Sequence, residues 1–224
     1  MQHELTVLPD AEAVARAAAD HLAARARWAV AERGDSAVAI SGGRTPWAML
    51  DVLAGLPRGR VPWRDLVLFQ VDERLAPDGS PERNLSHITA ELAGVEARIA
   101  AMPVGDADPE AAAGRYAAAL PAAFDLVHLG LGADGHTASL IPGDPVLDVA
   151  DRLVALTGAP YQGRRRMTLT YPALARAHEL MWVVTGPDKV EALAALLAGS
   201  ADIPAGRVTA PRSLVYADEA AVGR

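Results

Sequence analysis

Short apolar runs recur along this chain, and each ends at a glycine-rich or charged turn. The runs comprise residues 37–40, 66–71, 124–129 and 179–185. Apolar runs of this length are typical of strands that are buried on both faces of a parallel sheet. Because segments with helical periodicity separate them, the sequence predicts an α/β fold with a mainly parallel sheet. In such sheets ligands bind beyond the carboxyl ends of the strands, so the turns are where we expect a site.

The remaining elements are predicted from their end signals. Asp10 predicts the N-cap of a helix that runs to about Arg33 and ends at Gly34. A second helix is predicted from Asp108 to Leu120, with further strands at 97–102, 152–156 and 213–216. With 224 residues and 51% hydrophobic content, the chain can build a core, and we expect one domain, 1–224.

Charge and cysteine usage exclude several classes of function. The net charge of -7 argues against nucleic acid or an anionic membrane as the main partner, since both require a basic surface. A local basic pocket can still bind a small anion. The lack of cysteine excludes disulfides and thiolate metal ligands. There is no targeting pattern at the start and no run of about 18 apolar residues, so we expect a cytoplasmic protein.

The segment 129–142 concentrates glycines among polar and titratable side chains. It reads Leu-Gly-Leu-Gly-Ala-Asp-Gly-His-Thr-Ala-Ser-Leu-Ile-Pro. Its glycine spacing matches the dinucleotide-binding fingerprint, which requires a long helix to follow. Pro142 and Pro145 leave room for less than two helical turns, so a nicotinamide cofactor is not expected. The glycines let backbone N–H groups approach a ligand closely, and Asp134 and His136 add side chains suited to catalysis.

Two turns combine a helix start with a basic side chain. In Ser-Gly-Gly-Arg-Thr-Pro at 41–46, Thr45 is predicted as the N-cap and Pro46 as the first helical residue. Arg44 then lies where a helix normally favours a carboxylate, which indicates that an anion binds there. Lys189 is predicted in the first turn of the helix after strand 179–185, and it likewise indicates that an anion binds there. The alternative is an ordinary turn with a solvated cation.

Charged residues also follow the strand 66–71, at the same edge of the predicted sheet. Asp72, Glu73 and Arg74 are either site residues or a mutually satisfied surface ion pair. The polar loop 75–84 that comes next is a candidate lid, and a helix is predicted to begin at Asn84. The arginine cluster 164–166 is either solvated, as such clusters on loops usually are, or one of its three members reaches an anion.

His136 is the strongest candidate for catalysis. Histidine is the natural base at neutral pH, and a carboxylate partner can orient its ring. The sequence has no Gly-x-Ser-x-Gly elbow, which disfavours a serine hydrolase. Asp134 and His136 alone are not a metal-ligand set. The simplest remaining chemistry is water activated by His136 acting on a phosphorylated small molecule, and the alternative is a packed or surface histidine.

Three motifs together resemble the bacterial 6-phosphogluconolactonases. They are Ser-Gly-Gly-Arg-Thr-Pro at 41–46, Val-Asp-Glu-Arg at 71–74 with Asn84 downstream, and the segment 129–142. The resemblance spans most of the chain. It implies the doubly wound fold of the glucosamine-6-phosphate isomerases, with helices on both faces of the mainly parallel sheet. It also implies hydrolysis of 6-phospho-D-glucono-1,5-lactone in the oxidative pentose phosphate pathway, without a cofactor.

The resemblance also implies roles for individual residues. His136 would take a proton from the water that attacks C1, and Asp72 would orient His136 or a sugar hydroxyl. Arg74 or backbone N–H groups near Gly132 would stabilise the oxyanion. The expected substrate- and phosphate-binding residues are Gly42, Gly43, Arg44, Thr45, Gly132, Asp134, Arg166 and Lys189. The expected partner is a phosphorylated sugar lactone, bound by a monomer or a small homo-oligomer.

Glucosamine-6-phosphate deaminases are the main alternative, because they share these motifs. After Gly-His they typically carry Asn-Glu-Pro, whose glutamate helps to open the sugar ring, whereas this chain has Leu140, Ile141 and Pro142. Ile141 cannot transfer a proton, and Arg74 replaces a tyrosine that is common in the deaminases, so the lactonase is favoured. A non-catalytic sugar-phosphate sensor is a further alternative, although this acidic chain has no additional DNA-binding segment.

Overall fold

The computed structural model describes residues 2–224 and is built of alternating strands and helices. The strands are β1 (Glu4–Leu8), β2 (Ser36–Ile40), β3 (Leu66–Gln70), β4 (Asp72–Arg74), β5 (Arg98–Ala100), β6 (Leu126–Leu129), β7 (Val154–Leu156), β8 (Arg166–Leu169), β9 (Glu179–Val184) and β10 (Arg212–Asp218). The α-helices are α1 (Ala11–Arg33), α2 (Arg44–Gly55), α3 (Asn84–Glu91), α4 (Pro109–Ala119), α5 (Tyr171–Leu174) and α6 (Val190–Leu197).

Seven strands form one sheet in the order β1-β10-β9-β6-β2-β3-β5, and every neighbouring pair is parallel. Starting from β2, the chain adds β3 and β5 on one side, and β6, β9 and β10 on the other. The direction of winding therefore reverses between β2 and β6, which is where ligands bind in doubly wound sheets. This arrangement confirms the predicted fold class.

Helices cover both faces of this sheet because successive side chains of a buried strand point to opposite sides. Val38 and Ile40 of β2 pack in a core cluster with α1, α2 and α3, while Ala39 between them packs in a second cluster with α4 and α6. The continuous apolar runs in the sequence are thus explained by two cores that share one sheet.

The end signals of the first helix act as predicted. The Asp10 side chain accepts a hydrogen bond from the Ala13 N–H at 2.7 Å, and Gly34 ends α1 with a φ of 88°. Asp108 caps α4 in the same way, through the N–H of Ala111 at 3.0 Å. These side chains satisfy amide groups that have no partner within the helix.

Two predicted helix starts are wrong by a short distance. α2 begins at Arg44 after Gly43, whose φ is 126°, and Thr45 does not cap it. The Thr45 hydroxyl instead lies 2.8 Å from the Thr185 hydroxyl, so it links two turns. Lys189 ends a short 3₁₀ turn before α6 rather than lying in the first turn of that helix.

A small antiparallel sheet, β4-β8-β7, was not predicted. In it Asp72 pairs with Thr168, and Arg74 pairs with Arg166. The segment predicted as a strand at 152–156 belongs to this sheet, as the shorter β7. β1 was also missed, because Glu4–Leu8 is mostly exposed and lacks an apolar run. Among residues 2–224 no helix is both long and apolar enough to cross a bilayer.

Candidate active site

A cavity of about 660 Å³ lies where the chain leaves β2, β6 and β9, at the point where the winding reverses. It brings together nearly all of the predicted site residues: Gly42, Gly43, Arg44, Thr45, Asp72, Arg74, Gly132, His136, Arg166 and Lys189. Asp134 does not line the cavity but contacts His136. Asn84, Gln162, Thr185 and Asp218 also line it, and of these only Asn84 belonged to a predicted motif.

The turn after β2 exposes backbone donors to the cavity. No acceptor for the N–H of Gly42 or Gly43 occurs among the described residues. A Cβ atom on Gly42 would lie 1.9 Å from the Asn84 Oδ1, so only glycine fits here. Such free amides beside a helix start favour an anion.

Buried His128 holds this turn in place. The Ser41 N–H donates to the His128 Nδ1 at 3.2 Å, and the Ser41 hydroxyl donates to the His128 carbonyl, also at 3.2 Å. Complete burial lowers the pKa of His128 to about 3. The ring is therefore neutral, and its Nδ1 can accept the hydrogen bond.

Among residues 2–224, four cationic side chains line the cavity: Arg44, Arg74, Arg166 and Lys189. The Lys189 Nζ lies 2.8 Å from a carboxylate oxygen of the exposed Asp188. Arg166 is almost fully buried, and its Nε has no hydrogen-bond partner in the part of the chain that the structure describes. A buried guanidinium with an unused donor is well suited to bind an anion.

The other two arginines of the cluster do not line the cavity. Arg164 pairs with Glu82 at 2.7 Å in a partly exposed contact, and Arg165 donates to the Thr157 carbonyl at 2.9 Å. Glu82 lies in the loop 75–84, which is the candidate lid. The ion pair with Arg164 therefore links this loop to the tight turn at residues 161–164. Motion of this loop stays a prediction.

His136 is oriented by Asp134 and not by Asp72. Its Nδ1 lies 2.5 Å from the Asp134 Oδ1, which also accepts the His136 N–H at 3.1 Å. Burial opposes the charge on Asp134, but the hydrogen bonds from His136 outweigh it and hold the pKa of Asp134 below its ordinary value. Because an ionised carboxylate only accepts, the proton lies on Nδ1 and leaves Nε2 as the basic nitrogen.

Gly132 lets the imidazole lie close to the backbone. A Cβ atom on Gly132 would lie 2.1 Å from the His136 Nδ1. The Gly132 N–H donates to the His136 carbonyl at 2.8 Å, so this amide is occupied and cannot serve as the expected oxyanion donor. Arg74 is the better candidate for that role.

Asp72 is buried beside the cavity and has other partners. It accepts hydrogen bonds from the Ser139 hydroxyl at 2.6 Å and from the Asn84 side-chain amide at 3.3 Å. The Arg166 Nη1 lies 3.9 Å from the same carboxylate. The predicted contact with His136 is therefore absent from this structure, and a contact with a sugar hydroxyl stays a prediction.

Glu73 is a fully buried anchor and not part of a surface ion pair. Its carboxylate accepts the N–H groups of Arg74, Asn84 and Leu85, each within 2.8 Å, and thereby caps α3. Asn84 in turn accepts a hydrogen bond at 2.7 Å from the Arg74 Nη1, and the Arg74 Nε has no partner among residues 2–224. Glu73 thus holds Arg74 and Asn84 in place beside the cavity.

Fold and cavity together define a class: a doubly wound α/β protein with anion-binding turns and a histidine–aspartate pair at its switch point. Residues 9–217 match the family model for glucosamine-6-phosphate isomerases/6-phosphogluconolactonase, and the chain belongs to this family. The predicted family is therefore confirmed.

Individual relatives agree with this assignment. The 6-phosphogluconolactonase of Synechocystis sp. is 39% identical over 190 residues, which cover 78% of this chain and 76% of that protein. The 6-phosphogluconolactonase of Streptomyces coelicolor is 35% identical over 246 residues, covering 99% of this chain and 94% of that one. The crystal structure of a Thermotoga maritima 6-phosphogluconolactonase matches with a TM-score of 0.87 over 97% of this chain and 100% of that chain, at 24% identity, which shows a shared fold.

Proposed function

We propose that the protein is a carboxylic ester hydrolase that converts 6-phospho-D-glucono-1,5-lactone into 6-phospho-D-gluconate, a step of the oxidative pentose phosphate pathway. The observation that carries this proposal is the His136–Asp134 pair at the wall of a cavity that also contains Arg44, Arg166 and Lys189. A base and an anion-binding cluster in one cavity are what hydrolysis of a phosphorylated lactone requires. Relatives over most of the chain carry the name of this enzyme.

The phosphate of the lactone binds to the turn after β2. The N–H groups of Gly42 and Gly43 and the side chains of Arg44 and Lys189 surround it, with Arg166 as the third cationic contact. Lys189 exchanges its contact with Asp188 for one with the phosphate, and the Thr45 hydroxyl lies beside it. Fixing the phosphate places the lactone carbonyl carbon toward His136.

Hydrolysis begins when the His136 Nε2 takes a proton from water and the resulting hydroxide attacks C1. The carbonyl oxygen becomes an oxyanion, which the Arg74 guanidinium stabilises; such a donor contributes about 3–4 kcal/mol. When the intermediate collapses, the bond between C1 and the ring oxygen breaks, and the imidazolium returns its proton to that oxygen. Asp134 stabilises the positive charge on His136 between these two steps. The reaction needs no cofactor.

A deaminase activity is the second candidate, because the family includes glucosamine-6-phosphate isomerases. One residue argues against it. Where the deaminases carry a proton-transferring glutamate after Gly-His, this chain has Ile141, which is buried and does not line the cavity. A non-catalytic sensor would not need a histidine whose ring is oriented by a carboxylate, as the ring of His136 is by Asp134. The lactonase is therefore favoured over both.

We further propose that residues 1–224 act as one domain, since both core clusters pack on the same sheet. The net charge of -7 supports a partner other than nucleic acid, and the protein would work in the cytoplasm as a monomer or a small homo-oligomer.

The test is a coupled assay in which glucose-6-phosphate dehydrogenase generates the lactone and its loss is followed with and without the protein. His136→Ala should lower kcat at least about a hundredfold, within the range for loss of a general base. His178→Ala, an exposed histidine outside the cavity, is the matched control and should be fully active. A folded His136→Ala protein with full kcat would refute the proposed base. If the wild-type protein gives no acceleration but releases ammonia from glucosamine 6-phosphate, the deaminase is correct.

A further inference from the structure

Tyr161 does not line the cavity, yet it contacts three residues of the candidate site. Its hydroxyl donates to the Asp134 Oδ2 at 3.2 Å. Its ring lies edge-on to the His136 imidazole, with 5.3 Å between the centroids and an interplanar angle of 65°. The Arg166 guanidinium lies 5.0 Å from the ring centroid on its face. One side chain therefore connects the histidine–aspartate pair with a cation of the anion-binding cluster.

The backbone around Tyr161 is built to hold this position. Tyr161 and Arg164 exchange hydrogen bonds in a tight hairpin, with Gln162 at a φ of 52° and Gly163 at 86°. Two successive positive φ values match the preferred turn of a two-residue hairpin. For glutamine this conformation is strained, and strain of this kind concentrates at functional sites. The Gln162 Oε1 accepts a hydrogen bond at 3.1 Å from the Arg166 Nη2, so the hairpin contacts Arg166 from a second side.

Asp134 needs such support because it is exposed and lies in a turn. Its Oδ1 accepts the hydrogen bonds of His136. Without a partner for Oδ2, the carboxylate could rotate about χ2, the last torsion of the side chain. Burial and the nearby charge of Asp134 raise the pKa of Tyr161, so its hydroxyl keeps its proton and can donate. The Tyr161 hydroxyl therefore fixes which oxygen of Asp134 faces the imidazole.

We propose that Tyr161 is a positioning residue for hydrolysis: it holds Asp134 so that His136 keeps its proton on Nδ1 and its Nε2 free, while its ring supports Arg166. The inference rests on the lactonase function proposed above. It assigns no contact between Tyr161 and the substrate, and a positioning role predicts a change in kcat with little change in KM.

The variant Tyr161→Phe removes only the hydroxyl and keeps both ring contacts. The chain offers a close control in Tyr171, whose hydroxyl donates to the Pro204 carbonyl at 3.0 Å and whose ring lies 4.8 Å from the Arg207 guanidinium. Tyr171 lies beside a different cavity. We expect Tyr161→Phe to lower kcat roughly fivefold to tenfold, the size of the typical net contribution of one hydrogen bond, with KM within about twofold. Tyr171→Phe should change neither constant.

Nitrogen-15 chemical shifts of the His136 ring give a second measurement that does not depend on turnover. We expect one tautomer, protonated on Nδ1, in the wild-type protein and in Tyr171→Phe, and a mixture of tautomers in Tyr161→Phe. An unchanged kcat in Tyr161→Phe overturns the proposal, whatever the shifts show. If the wild-type protein has no lactonase activity, the proposed function fails, and the tautomer comparison alone decides whether Tyr161 positions Asp134 and His136.

Discussion

Glu73 gives the sharpest prediction about how the site is held together. The side chain is fully buried, and its carboxylate accepts N–H groups of Arg74, Asn84, Leu85 and Gln70, all within 2.8 Å. Two donors lie at each oxygen. In Glu73→Gln one oxygen becomes an NH₂ group, which faces two N–H donors and can accept neither bond.

The cost follows from these contacts. Two hydrogen bonds to a charged group are lost, at about 1.5–3 kcal/mol each. Arg83, buried with its Nε 3.8 Å from Glu73, also loses one of its two charged neighbours and keeps Asp78; complete loss of a buried pair would cost about 3–5 kcal/mol. Because these effects overlap, we expect a loss of about 4 kcal/mol in the free energy of unfolding. For a chain of this length the melting temperature should fall by roughly 8–16 °C.

Urea unfolding followed by circular dichroism at pH 7 measures this difference. Glu12→Gln is the matched control, since Glu12 is 76% exposed and its partner is the exposed Arg16. It should leave the unfolding midpoint unchanged. If the free energy of unfolding of Glu73→Gln is less than about 1 kcal/mol below that of the wild type, Glu73 is not the anchor of this region. Below its melting temperature the variant should also have a lower kcat, because Glu73 no longer holds Arg74 and Asn84 in place.

Two further predictions concern the cavity, and a third concerns the buried His128 behind it. Gly42→Ala should lower kcat/KM more than tenfold, because its methyl group would lie 1.9 Å from a buried amide oxygen, whereas Gly55→Ala, with open space around it, should be fully active in the same assay. Arg166→Lys should raise the KM for the lactone about tenfold, and Arg164→Lys should leave it within twofold; equal effects would contradict the assignment of Arg166. Burial lowers the pKa of His128 to about 3, so below pH 6.5 only the unfolded chain binds this proton. Stability should therefore fall by about 2 kcal/mol between pH 7 and pH 5, measured by urea unfolding, and by less in His128→Asn.

Local patterns in the sequence predict most of the main sheet and the turns that end its strands. The signals are strong because a strand buried on both faces must be apolar, and a turn that approaches a ligand closely must use glycine. Gly42 and Gly132 illustrate the second case, since a Cβ atom on either would overlap a site residue. Their position at the switch point follows from the strand order, which no local pattern encodes.

The parts that could not be predicted depend on contacts between distant segments. Asp72 and Asp134 are both acidic residues that follow apolar strands, and only the folded chain shows that Asp134 reaches His136. Tyr161 and Gln162 lie in a hairpin with no apolar run, so their sequence gives no sign of a site. β1 is exposed and short, and it is ordered through its pairing with β10.

The pairing of β1 with β10 has a consequence for how the protein is made. These strands come from opposite ends of the chain, with Glu4 opposite Leu214 and Leu8 opposite Asp218. At typical rates of synthesis, about 5–20 residues per second, roughly 10–40 s separate the emergence of the two strands from the ribosome. During that time β1 has no strand to pair with, and the Asp218 carboxylate that accepts the Gly186 N–H at 3.0 Å has not yet been made. The cavity can therefore be completed only after β10 has left the ribosome, and a nascent chain that still lacks β10 should have no activity.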